Sequence, residues 1–178
     1  MQLTAALLDL CKGNPKSVIA IDGPAGAGKT TLANNLALAL SQDISVQVIH
    51  MDDLYDGWQN ALSPQLSETL EFIVASHKSG KNVKFSKYDW NQSAFQEVQE
   101  IPSAELIILE GVGSGQIAIR DELAALIWID IEESLGLERV ISRDGQSIKA
   151  QMQMWLALQE QHFAREGTQK AADFILTT

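Results

Sequence analysis

The sequence predicts an α/β fold: a mainly parallel, five-stranded sheet flanked by helices, with a small hairpin set over one end. Three observations carry this. Apolar, β-branched runs alternate with helix-like segments along the chain. The runs are continuous rather than alternating apolar with polar, as in strands buried on both faces. The 178 residues, 46% hydrophobic and 20% charged, have ordinary globular composition and suffice for a sizeable core. One domain spanning residues 1–178 is the expectation from that length.

Leu3, Leu7 and Leu10 share one face of a helix over 3–11, which Gly13, Asn14 and Pro15 stop. Ser17–Ile21 reads as a buried strand. A glycine-rich turn at 22–28 leads into a helix, Lys29–Leu40, rich in Ala and Leu. Val46–His50 is the second strand and ends at Met51-Asp52-Asp53. Residues 54–64 read as loop, with Asp56-Gly57 and Ser63-Pro64 as turn signals. Leu66, Leu70, Ile73 and Val74 fall at helical spacing in 65–79, and Gly80 is the stop. Val83–Phe85 and Phe95–Ile101 are expected to pair as a hairpin around Tyr88-Asp89-Trp90-Asn91. Leu106–Leu109 and Leu126–Ile131 are further strands, helices fall at 133–143 and 147–165, and Phe174–Leu176 is the last strand.

Composition excludes several function classes. The formal charge is −10, which disfavours broad binding to nucleic acid or to an anionic membrane. Any phosphate ligand must therefore be held by a local site. A single cysteine, Cys11, rules out an intrachain disulfide framework and a cysteine-rich zinc site. It suits a reducing compartment, and with no export pattern at the N-terminus the cytoplasm is the expected location. No apolar run approaches the roughly 20 residues of a membrane span.

The strongest motif is Gly23-Pro24-Ala25-Gly26-Ala27-Gly28-Lys29-Thr30, which fits G-x-x-x-x-G-K-[ST] in full. It follows a strand and opens a helix, as its mechanism requires. Glycines let backbone N–H groups curl around an anion, and the helix dipole adds to the attraction. Gly23, Ala25, Gly26, Ala27, Gly28, Lys29, Thr30 and Thr31 are thus expected to hold the phosphates of ATP. Lys29 should reach the β- and γ-phosphates, Thr30 should ligate Mg²⁺, and Thr31 should lie near the α-phosphate.

Carboxylates follow two other strands. Asp52 and Asp53 end the second, where Asp52 could take a proton from a substrate hydroxyl or hold Mg²⁺, or the pair could cap the turn. Glu110 directly follows Leu106–Leu109, where a carboxylate polarises metal-bound water in P-loop proteins, or could cap a helix or turn. His50 stands where it could tune Asp52, or it could be a buried, hydrogen-bonded histidine. Arg139 and Arg143, four apart, share one helix face and suit a phosphate clamp or a plain solvated surface. Trp58 and Trp90 fall in loops and could stack on a ligand or simply pack, Trp128 reads as core, and His162 reads as surface.

Taken in order, Ala20–Ala33, Met51-Asp-Asp-Leu-Tyr55, Tyr88-Asp-Trp90, Leu109-Glu-Gly-Val112 and Arg139–Asp144 resemble the uridine kinase-like branch of P-loop small-molecule kinases, over about residues 17–176. The resemblance implies a P-loop NTPase fold and phosphoryl transfer from ATP, with Mg²⁺, to a hydroxyl of a small-molecule acceptor such as a nucleoside. It makes Asp52 the base, places Asp53, Tyr55, Tyr88 and Trp90 around the acceptor under the hairpin, makes Arg139 and Arg143 the clamp, and puts Ala172-Asp173 near the adenine end. Three departures bear on the acceptor. Ser93 stands where the family's base-reading His would be. Gly145-Gln146-Ser147 replaces the family's Arg-rich lid stretch. The run Gly111–Gly115 is richer in glycine than the family pattern. A nucleoside monophosphate (with Lys84 and Lys87 as its cations), a pantothenate-like alcohol or a sugar remains an alternative acceptor, and a non-catalytic ATP-binding module an alternative function. No Asn/Thr-Lys-x-Asp motif is present to read guanine. A homo-oligomer is left open.

Overall fold

The computed structural model describes residues 2–178. Helix α1 (Gln2–Lys12) leads into strand β1 (Ser17–Asp22), then α2 (Lys29–Leu40), β2 (Val46–His50) and a 3₁₀ turn at Met51–Asp53. After α3 (Pro64–Lys78) come β3 (Val83–Asp89), β4 (Ala94–Ile101), β5 (Leu106–Glu110), the short α4 (Ile117–Arg120) and β6 (Ala125–Asp130). The chain ends with α5 (Glu133–Asp144), α6 (Lys149–Glu166), the short α7 (Thr168–Ala171) and β7 (Phe174–Thr177). Every expected element is present, and α4 and α7 are additions. Each of these is a single turn, too short for a periodic pattern to register.

Five strands form one parallel sheet in the order β2-β5-β1-β6-β7. Its central strand, β1, is buried along its whole length, which is why Ser17–Ile21 carries no solvent-side polar alternation. Ile19 and Ile21 pack with Leu7, Cys11, Ala33, Leu36 and Leu40, so α1 and α2 cover one face. Val18, Ile49 and Ile107 pack with Leu66, Leu70, Ile73, Met152 and Trp155, so α3 and α6 cover the other. A fully buried leucine such as Leu70 contributes roughly 1.5–3 kcal/mol by leaving water.

Local chemistry sets the ends of the elements. Pro64 opens α3 behind Ser63, where its missing N–H costs nothing. Glu132 caps α5 by accepting from the backbone N–H groups of Ser134 and Leu135. Gly167 ends α6 in the left-handed region, φ 61°.

The hairpin is longer than expected. Strands β3 and β4 run to Asp89 and Ala94, and the turn occupies only 90–93. The Asp89 carboxylate accepts from the backbone N–H groups of Asn91 and Gln92, which tightens the turn and draws Tyr88 into the ladder opposite Phe95. Among the described residues no helix is long and apolar enough to cross a membrane.

Candidate active site

Parallel strands deliver their C-terminal ends to one edge of the sheet, and the register decides what meets there. Ile21 of β1 and His50 of β2 both pair with Glu110 of β5. The loop after β1, the 3₁₀ turn after β2 and the loop after β5 therefore share one rim. A cleft of about 500 Å³ opens over that rim.

The loop Gly23–Gly28 is shaped by close approach. A Cβ on Gly26 (φ 79°) would lie 2.2 Å from the carbonyl oxygen of Gly136 in α5. Gly28 (φ 89°) precedes α2 without a side-chain cap, so the first N–H groups of the helix face the cleft. Lys29 is buried and donates from Nζ to the Pro24 carbonyl at 2.8 Å. Burial pulls its pKa down, and the nearby charges of Asp22, Glu110 and Asp52 oppose that shift. Ala25, Gly26, Gly28, Lys29, Thr30 and Thr31 line the cleft; Gly23 and Ala27 lie behind it and shape the loop.

Glu110 is only 5% exposed. Thr30 Oγ1 lies 3.1 and 3.2 Å from its two oxygens, and His50 Nδ1 lies 2.5 Å from Oε1. His50 thus serves Glu110 rather than Asp52, because the register sets it directly opposite Glu110. That hydrogen bond raises the His50 pKa. A hydroxyl and a carboxylate in contact are hard oxygen donors that suit Mg²⁺. No group of three or more His, Cys, Asp or Glu side chains among the described residues could hold a metal, so such an ion would draw its other ligands from phosphate and water.

Asp52 is exposed and opens onto the cleft. Loss of water on its protein side raises its pKa, the negative charge of Glu110 adds to the shift, and Lys29 and Arg143 partly offset it. Asp53 points away and pairs with Lys87 of the hairpin at 2.8 Å. Arg139 and Arg143 both line the cleft. Arg139 Nη1 approaches the Gly26 carbonyl (3.4 Å) and Thr178 Oγ1 (3.2 Å), while Arg143 forks onto Asp144 at 2.7 and 2.6 Å.

The far end of the cleft is aromatic. Tyr55, Trp58, Trp90 and Trp155 line it. Tyr88 does not; it stands behind Trp90, edge-on at 5.1 Å, because the lengthened hairpin fixes it in the strand. Ser93 is exposed at the hairpin turn, away from the cleft. Lys84 and Lys87 pair with Glu100 and Asp53 and do not reach the cleft either.

Several residues that build the site gave no motif. Asp22 is fully buried and accepts from the N–H groups of Gly23, Gly113 and Gly115, so most of the glycine-rich run wraps this carboxylate. Burial pushes its pKa up to about 6, against the pull of those donors and of Lys29. A charge ending the apolar run of β1 was its signal in the sequence. Gln159 of α6 is buried and accepts from the Ala25 N–H at 3.1 Å, and Met152 and Trp155 of the same helix reach the cleft. His162, read as surface, is 3% exposed, because α6 turns that side onto Phe163 and Gly113. Trp128 is core, packed edge-on against Phe163. Asp173 accepts from the Leu126 N–H at 2.8 Å and ties β7 to β6.

Comparison with known proteins agrees with this architecture. No family model matches the chain. A uridine kinase from Leuconostoc citreum is 27% identical over 180 residues, covering 89% of this chain and 86% of that protein. A solved structure titled as a "possible uridine kinase" from Bacillus stearothermophilus superposes with a TM-score of 0.62 at 22% identity, covering 99% of this chain and all of that one. A D-glycerate 3-kinase from Cryptococcus neoformans gives 0.63 at 13%, covering 99% and 94%. At these identities the solved structures speak for the P-loop kinase fold. The chain is a P-loop phosphotransferase similar in sequence to uridine kinases, in a fold that a D-glycerate 3-kinase also adopts.

Proposed function

We propose that the protein transfers the γ-phosphoryl group of ATP to a hydroxyl of a small-molecule acceptor, with Asp52 as the base. The observation that carries this reading is the convergence of Asp52, Lys29, Thr30 and Glu110 on one cleft. The backbone N–H groups at the start of α2, with Lys29, would hold the triphosphate. Thr30 and Glu110 would hold Mg²⁺, which when bound supplies charge neutralisation on the phosphates. Arg139 and Arg143 face the same space and would stabilise the transferring group. Arg143 would then exchange Asp144 for phosphate.

Asp52 is suited to its role because partial desolvation and the Glu110 charge make it a stronger base than an ordinary carboxylate. In the transfer, the acceptor oxygen bonds to the γ-phosphorus as the bond to the β–γ bridging oxygen breaks. ADP leaves with that electron pair, and the acceptor proton passes to Asp52. The likeness to uridine kinases suggests a hydroxyl-bearing ring compound as acceptor, nucleosides among the candidates, with Tyr55 and Trp90 against it. A nucleoside monophosphate is disfavoured, since Lys84 and Lys87 are spent within the hairpin and on Asp53.

The test is ADP release with MgATP and a panel of alcohols, with Lys29→Ala as the blank. Asp52→Asn should lower turnover by about 10²–10⁴-fold while ATP still binds. Unchanged turnover in that variant would remove Asp52 from its role.

A further inference from the structure

The acceptor end of the cleft is built unlike its phosphate end, and the difference defines a ligand. Resting on the phosphotransfer reading, we propose that the acceptor is an uncharged alcohol with an apolar, ring-sized body, held by ring contact rather than by hydrogen bonds to a polar base edge.

The wall consists of Tyr55, Trp58, Trp90, Val112, Met152 and Trp155. Its rings brace one another. Tyr55 and Trp155 have centroids 5.2 Å apart, Trp58 and Trp155 meet edge-on at 6.0 Å, and Trp58 and Trp90 lie 5.1 Å apart. Two polar atoms of this wall are committed to protein, while the indole N–H groups of Trp58 and Trp155 make no hydrogen bond to protein. Tyr55 donates its hydroxyl to the Val112 carbonyl at 2.7 Å, and Trp90 donates Nε1 to the Asp52 carbonyl at 3.1 Å. No Asn, Gln, Ser or His side chain is among the described residues that line the cleft.

A uracil or cytosine edge pressed against this wall would meet ring faces and indole N–H donors, with no Asn, Gln, Ser or His side chain to pair its own N–H groups. An apolar ring would lose nothing and would gain contact on several ring faces. The one polar group such an acceptor needs is its hydroxyl, and Asp52 stands at the junction of the wall and the phosphate loop. The Trp90 hydrogen bond ties the wall to the Asp52 backbone, so seating a ring against Trp90 also sets the distance from hydroxyl to carboxylate. Ser93 at the exposed hairpin turn fits the same picture: the position that would read a base has left the site.

The experiment compares ADP release and phosphorylated product for benzyl alcohol, 2-(indol-3-yl)ethanol and cyclohexylmethanol against uridine, cytidine and choline. It uses the full chain, MgATP and a Lys29→Ala blank. At least one ring alcohol should be turned over with kcat/KM about ten- to a hundredfold above uridine and cytidine, the range an apolar pocket can discriminate. Trp58→Ala, on the loop rather than in the core, should raise KM for that alcohol about tenfold and leave KM for ATP unmoved. Uridine, cytidine or choline turned over as well as the ring alcohols would overturn the acceptor class and leave the phosphotransfer reading standing. Ring alcohols that neither release ADP nor change tryptophan fluorescence in the presence of MgADP would overturn it too. Failure of the wild-type protein to bind ATP more tightly than Lys29→Ala would instead bring down the phosphotransfer reading itself.

Discussion

The loop proposed to hold phosphate is one continuous stretch, Gly23 to Thr31, whereas the proposed acceptor wall is drawn from the loop after β2, the hairpin turn, the loop after β5 and helix α6. The first works chiefly through backbone N–H groups, which every residue carries. What it needs from the sequence is permission for an unusual path, and glycine supplies that. The second works through side-chain surfaces, and these exist as a surface only once distant segments have packed. A backbone site is therefore local and recognisable, while a side-chain wall is non-local and free to change its chemistry without disturbing the loop beside it. This is how one fold can accommodate acceptors as different as those of its relatives.

The largest effect that would break this contrast lies in the phosphate loop. Gly26→Ala forces a Cβ to within 2.2 Å of the Gly136 carbonyl at a residue with φ 79°. Strain of about 1–3 kcal/mol should weaken ATP binding on the order of 10- to 100-fold, measurable by titration calorimetry. Binding at wild-type strength would mean that α5 retreats without cost and that the loop is less tightly specified than its glycines suggest.

A smaller effect sharpens the comparison at the joint between the halves. Asp22 ends β1 and gathers the Gly113 and Gly115 N–H groups from the loop after β5. Its pKa rises from 3.8 to about 6, so the folded chain holds this proton more tightly than the unfolded chain does. The resulting stability is full below pH 3.8 and is lost as pH rises to about 6. His162 runs in the opposite sense. Burial pulls its pKa from 6.5 to about 4, so its contribution is present above 6.5 and lost as pH falls toward 4. Urea unfolding of wild type and Asp22→Asn between pH 4 and 7 isolates the first group. The stability difference between the two should change by about 2 kcal/mol across that window. A difference independent of pH would show that Asp22 keeps an ordinary carboxylate pKa.

The smallest effect is a null. Ser93→Ala removes a hydroxyl that is exposed at the hairpin turn and touches nothing in the cleft. Turnover of any acceptor should be unchanged in steady-state assays. A change in acceptor KM would mean that the hairpin tip closes over the ligand.

The sequence by itself determined the parallel α/β sheet, the phosphate loop, and the carboxylates that end β2 and β5. Each depends on a pattern carried by neighbouring residues: apolar runs for strands, fixed glycine spacing for the loop, and a charge where a strand meets the rim. The tertiary structure alone decided which partners those carboxylates have. Register set His50 opposite Glu110, and the lengthened hairpin turned Asp53 and Tyr88 out of the cleft while keeping Trp90 in it. It also decided that α6, whose sequence shows little amphipathic pattern, contributes Gln159 to the loop and Met152 and Trp155 to the wall. The physical reason is range. Backbone conformation is settled by sterics within a few residues, but what a side chain touches depends on how whole elements pack, and no local pattern records that.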